Sequence, residues 1–174
     1  MRMKIKEGID SNVLREDRVG SASSKICYPG VSSCISITCV SNGSLMGVHV
    51  TIATSAEELK CALDYFSLKG GGAVNIYVVG AIREFKDKTF NKNVNTRKKL
   101  SKLLKSSVNK NATVQFYDTS GRDLNIMAER QNGAQCNFSH IDANCPRVSG
   151  DTYPVFTDTT GQPLQLNAGH FVTR

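Results

Sequence analysis

An α+β fold, with a β-sandwich-type core and two or three flanking helices, is what this 174-residue sequence predicts. Three observations carry it. Apolar and polar residues alternate on both sides of Asn42-Gly43. Two other stretches repeat apolar residues at helical spacing, and the remaining β-rich runs are short and punctuated by Gly, Pro and Asn. The length suits one domain with a full core, read as 25–174 after a flexible or partly ordered segment 1–24.

Asn42-Gly43 is the strongest two-residue hairpin signal in the chain. With these two as the central turn residues, Ser41 faces Ser44, Ser36 faces His49, and Cys34 faces Thr51. Side chains alternate with period two, so Cys34, Ser36, Thr38, Gly47, His49 and Thr51 share one face. Ile35, Ile37, Cys39, Met46, Val48 and Val50 share the other, which is apolar throughout. Cys34 and His49 become diagonal neighbours, with Cα atoms about 7–8 Å apart. A thiol beside an imidazole is a candidate nucleophile and base, expected to project into an accessible recess.

The other elements follow in order. Gly20–Ser24 reads as a loop within a segment that has room for one early strand. Lys25–Tyr28 is a short strand, closed by a turn at Pro29-Gly30. Ser55-Ala56-Glu57-Glu58 matches a capping box, and Leu59, Ala62, Leu63 and Phe66 continue it as a helix ending at Gly70-Gly71-Gly72. Residues 74–82 form an apolar, central strand. A second helix spans about 95–108, with Leu100, Leu103, Leu104 and Val108 inward and lysines outward. Thr113–Tyr117 is a strand, 118–121 a turn, and 123–130 its return strand. Residues 135–174 read as short strands and loops.

The net charge of +7 is concentrated between Arg83 and Lys110, where ten Lys/Arg face two acidic residues. A solvated helix face accounts for this. A nucleic-acid partner is disfavoured because aromatic residues are not interleaved, Phe85 and Phe90 standing only at the leading edge; an acidic protein partner is the alternative. No apolar run approaches the ~20 residues of a membrane-spanning helix. The first ten residues lack the apolar stretch of a standard secretory signal. Of the six cysteines, Cys39 and Cys61 fall on apolar faces and read as small buried hydrophobes. Cys136, His140 and Cys145 lack a nearby fourth ligand for a metal clip, and a Cys136–Cys145 disulfide is the other reading. Cys27 is a rival nucleophile without a histidine at a pairing position. No cofactor or metal is expected.

Val31-Ser32-Ser33-Cys34, followed by Met46-Gly47-Val48-His49, resembles the active-site signature of the cysteine-dependent glutamine deamidases. That superfamily includes the chemoreceptor deamidase CheD, the cytotoxic necrotizing factor toxins and Burkholderia lethal factor. Its motif is Leu-Ser-Gly-Cys or Leu-Gly-Ser-Cys at a strand start, with a histidine on the adjoining strand. Val31 stands for the leucine, Ser32 matches the toxin form and Ser33 the chemoreceptor form. The order of helix, strand, basic helix and Tyr117–Arg122 segment is also similar, over about residues 25–130. The resemblance implies a CheD/necrotizing-factor-like fold and a protein-glutamine amidohydrolase with Cys34 as nucleophile and His49 as base. Ser32 and Ser33, within the matched motif, are then expected at the oxyanion, and Ser36 and Thr51 line the site from the hairpin face they share with Cys34 and His49. Some members hold the histidine with a threonine six residues before the cysteine, a position that is Tyr28 here. The necrotizing factors use an upstream backbone carbonyl instead, so Tyr28, Thr51, Ser36 and a main-chain group all stand as alternatives. The implied partner is a protein presenting an exposed glutamine, such as a host GTPase or translation factor. The implied setting is a secreted or translocated bacterial effector acting in host cytoplasm, or otherwise the bacterial cytoplasm. The competing readings are a chemoreceptor-type deamidase and a non-enzymatic module binding through the basic segment 83–110.

Overall fold

A computed structural model describes residues 6–9, 12–51, 54–70, 72–82, 96–119, 123–142 and 172–173. Among these, ten strands and two helices make a mixed α/β protein, rich in strands, with two sheets. In chain order they are β1 (Lys6–Glu7), β2 (Arg18–Ala22), β3 (Lys25–Val31), β4 (Cys34–Ser41) and β5 (Ser44–Thr51). Then come α1 (Ala56–Gly70), β6 (Asn75–Gly80), α2 (Thr96–Ser107), β7 (Thr113–Asp118), β8 (Leu124–Arg130), β9 (Cys136–Asp142) and β10 (Val172–Thr173).

The Asn42-Gly43 hairpin is the centre of the larger sheet, whose order is β1-β2-β5-β4-β6-β7-β10. Its register is the expected one, with Cys34 opposite Thr51, Ser36 opposite His49 and Ser41 opposite Ser44. Ile35, Ile37, Cys39, Met46, Val48 and Val50 point to one core, shared with Leu59, Leu63 and Phe66 of α1 and Leu100 and Leu104 of α2. The opposite face of the hairpin meets the smaller sheet, β3-β8-β9, through Ile26, Tyr28, Ile126, Ala128 and Phe138. The protein is thus layered: helices, large sheet, small sheet. The face expected to be polar is therefore buried between two sheets, and that is where Cys34 and His49 lie.

The helices begin and end as their residues dictate. The Ser55 hydroxyl accepts the Glu58 N–H at 3.2 Å, and the Glu58 carboxylate accepts the Ser55 N–H at 2.9 Å, a reciprocal capping box. In α2, Leu100 and Leu104 are buried while Lys98, Lys99 and Lys102 are exposed, as expected of a solvated basic face. The earlier part of the basic segment, 83–95, lies outside the described residues. The strand expected over 74–82 is β6, central between β4 and β7.

Four local expectations are corrected. Gly20–Ser24 is not a loop over its length, because Gly20–Ala22 belong to β2 and pair with β5. Gly20 is small for packing reasons, since a Cβ there would come 2.9 Å from the Ile9 Cβ. Pro29-Gly30 does not end the strand: β3 runs on to Val31 through a register irregularity between Tyr28 and Val31. Proline offers no ladder N–H, Gly30 takes φ +64°, and the Gly30 N–H is satisfied by Asn125 Oδ1 at 3.0 Å, so the pair makes a bulge. Residues 123–130 do not return along β7; β8 pairs with β3 and β9 in the other sheet. β7 pairs with β6 in parallel and with β10. Finally, Cys61 is exposed on α1, off the stripe of Leu59, Ala62, Leu63 and Phe66. The metal clip and the disulfide weighed at Cys136 and Cys145 both depend on residue 145, outside the described residues.

Candidate active site

Cys34 opens β4 just after the Ser32-Ser33 bend that carries the chain from the small sheet to the large one. His49 lies on β5 opposite Ser36, so the hairpin alone fixes both side chains on one face. What completes the site is the segment 12–17. Leu14 N–H donates to Cys27 O at 2.8 Å and Cys27 N–H to Asn12 O at 2.7 Å, which ties this segment to β3. Asp17 N–H then donates to His49 O at 2.8 Å. Asn12 and Asp17 both have positive φ, 64° and 56°, so the chain bends at each end of the stretch and arches over the histidine. Asn and Asp are the non-glycine residues that tolerate this conformation best.

The arch supplies two groups. The Leu14 carbonyl lies 3.0 Å from His49 Nδ1. A carbonyl only accepts, so Nδ1 carries the proton and Nε2 keeps its lone pair. Nε2 is buried and has no hydrogen-bond partner among the described residues. Glu16 brings its carboxylate over the thiol, and Cys34 Sγ donates to Oε1 at 3.4 Å. A Glu16 oxygen, the sulfur and a ring nitrogen of His49 all lie within 4.8 Å of one another.

Burial governs the electrostatics. Cys34 is 1% exposed and His49 fully buried, so the expected accessible recess is closed in this conformation. The thiol pKa is pushed from 9.0 up to about 12, first by burial, then by the Glu16 charge and hydrogen bond and by Asp17, against a lowering hydrogen bond from Ser33. Burial pulls the imidazole below its usual 6.5, opposed by the Leu14 carbonyl and the charges of Glu16 and Asp17. Near neutral pH the pair therefore rests as a thiol beside a neutral imidazole. On its outer side Glu16 lines a cleft of about 430 Å³ together with Arg15, Arg18, Pro29 and Gly30. Glu16 thus both borders that cleft and contacts the sulfur.

The remaining expected residues take other posts. Tyr28 packs its ring edge-on to His49, centroids 5.9 Å apart, but its hydroxyl bonds Thr38 Oγ1 at 2.7 Å. It braces the imidazole by contact, while the ring's own hydrogen bond is donated by Nδ1 to the Leu14 main-chain carbonyl. The tyrosine fits because Gly47, opposite Thr38, has no side chain: a Cβ there would collide with the Tyr28 hydroxyl. Ser36 Oγ donates to Val79 O at 3.0 Å and so is occupied within the sheet. Thr51 is half-buried across from Cys34, and Ser32 and Ser33 are half-buried in the bend. Cys27 is fully buried on β3. Leu14 and Glu16 are the participants that sequence reasoning did not name. A backbone carbonyl carries no residue signature, and nothing local links Glu16 to a cysteine 18 residues on. No protein-family model and no curated protein matches this chain.

Proposed function

We propose that this protein is a cysteine-dependent protein glutamine deamidase, converting a glutamine side chain to glutamate with release of ammonia. One observation carries the reading: Cys34 and His49 share a face of the hairpin, with the imidazole held by the Leu14 carbonyl in the tautomer that leaves Nε2 free to take a proton. A base whose second nitrogen is fixed by a hydrogen bond is the arrangement a thiol nucleophile needs.

The substrate docks at the cleft beside Arg15, Arg18, Pro29 and Gly30, and its side chain displaces the Glu16 carboxylate from the sulfur. His49 Nε2 then takes the thiol proton, and the sulfur attacks the carboxamide carbon. The oxyanion is met by the Cys34 main-chain N–H and the hydroxyl of Ser32 or Ser33; one such donor is typically worth about 2.7–4 kcal/mol. The imidazolium passes its proton to the departing amine, leaving a thioester. A water molecule gives a proton to Nε2 and attacks the thioester, and the glutamate leaves as the thiol re-forms. Gln and water are consumed; Glu and ammonia are produced.

The test is peptide mapping of candidate host proteins, GTPases and translation factors first, incubated with the protein and with Cys34→Ala. A gain of about one mass unit at a single glutamine, with ammonia released, is expected from the wild type alone. Equal modification by both proteins overturns the proposal.

A further inference from the structure

Three donor atoms of different chemistry converge at this site, and their set is one that binds metal. We propose that Glu16, Cys34 and His49 form a three-ligand site for Zn²⁺, with the fourth position facing the outer cleft. Zinc takes thiolate, imidazole and carboxylate together, with Zn–S about 2.3 Å and Zn–N and Zn–O about 2.0–2.2 Å. Neighbouring donors of such a tetrahedron stand roughly 3.5 Å apart. The sulfur and Glu16 Oε1 already do, at 3.4 Å, and all three donors fall within 4.8 Å.

Two further features match a metal site. His49 donates Nδ1–H to a backbone carbonyl, as metal-bound histidines commonly do, and this orients the other nitrogen. That nitrogen, Nε2, is buried with no partner among the described residues, and a ring nitrogen of His49 lies within 4.8 Å of both the sulfur and a Glu16 oxygen. A cation there satisfies it. The thiol proton leaves to solvent on binding, so thiolate and carboxylate together neutralise the dication. Glu16 is exposed and free to close the remaining distance, whereas Cys34 and His49 are fixed by the sheet. The Arg15 and Arg18 side chains that line the cleft oppose cation entry, so binding depends on the two anionic ligands.

Metal binding needs only these three side chains. Its consequence, reversible inhibition, rests on the deamidase reading, since the thiolate held by zinc is the one that must attack the substrate. The experiment uses the full chain, stripped with a chelator and then titrated with Zn²⁺ against a chromogenic chelator and with Co²⁺ for absorption. One equivalent is expected, and cobalt should give a thiolate charge-transfer band with the intense visible bands of a tetrahedral ion. Cys34→Ser should remove the charge-transfer band. Glu16→Ala, a change at an exposed position that leaves the fold intact, should weaken binding by at least the roughly 10–100-fold that loss of an outer-shell partner costs. Cys136→Ser and Cys61→Ser should leave the band in place. Absence of stoichiometric binding, or a band that survives Cys34→Ser, overturns the site. Zinc bound by a protein that deamidates nothing removes the proposed reaction and keeps the site; deamidation without zinc binding does the reverse.

Discussion

Replacing Glu16 by glutamine removes a negative charge from beside the Cys34 sulfur while keeping an oxygen that can accept the thiol hydrogen bond. With a pKa of about 12, roughly one Cys34 in ten thousand is thiolate at pH 8. A charge at hydrogen-bond distance shifts a neighbour by about 1–3 units, so its loss raises the thiolate fraction about 10–1,000-fold. Nucleophilicity falls as the pKa falls, which leaves a gain of about 3–4-fold per unit. Glu16 is exposed and its charge is screened, so the lower part of the range applies: roughly 3–15-fold faster alkylation. The assay is iodoacetamide labelling at pH 8 with chelator present, quenched over time and mapped by mass spectrometry to the Cys34 peptide. Glu57→Gln, on the exposed side of α1, serves as the control. If Cys34 in Glu16→Gln labels no faster than in the wild type, the carboxylate does not restrain the thiol, and the account of the closed resting site is wrong.

Four further outcomes are expected. On the proposed deamidase reading, His49→Ala should lower turnover by about 10³-fold or more while Cys34 remains in place, read by ammonia release on an identified substrate. Gly47→Ala should destabilise the fold by about 1–3 kcal/mol in urea denaturation, because the added methyl must displace the Tyr28 hydroxyl from Thr38; an unchanged midpoint refutes that packing. Ser55→Ala should cost about 1 kcal/mol through loss of the α1 cap, measured the same way. Stability should also peak between about pH 6.5 and 9 as far as these groups are concerned. Below 6.5 the unfolded chain takes up a proton that buried His49 resists, and above 9 unfolded thiols ionise while Cys34 and Cys136, raised to about 12, do not. Each such group tilts stability by at most about 1.4 kcal/mol per pH unit, so thermal midpoints should fall on both sides of the plateau.

The hairpin was legible because three independent signals agree on it: a turn that demands Asn-Gly, an apolar face, and a polar face of matching period. That agreement set the register, and the register alone placed Cys34 diagonal to His49. The helices were legible for the same reason, with caps and spacing in accord. Misread positions are those where a residue type serves packing at a distance. Gly20 looks like a loop residue but is small to admit Ile9, and Pro29-Gly30 looks like a turn but forms a bulge against Asn125. The short step from Asp118 to Leu124 suggested a hairpin, yet Phe116 belongs to the helix-side core and Leu124 to the inter-sheet core. Period-two patterning reports that one face is buried, and it is silent on which layer buries it. The polar residues around Cys34 were therefore expected to face solvent rather than a second sheet.

Because the group that steadies His49 is a main-chain oxygen, the chemistry at position 14 is indifferent to what side chain stands there. Exchanging Leu14 for another aliphatic residue would disturb packing and leave the imidazole its anchor, whereas moving the peptide by an ångström would release the ring with every side chain intact. An alanine scan is therefore blind to this participant. Shortening or lengthening the stretch between Asn12 and Asp17 by one residue is the perturbation that would find it.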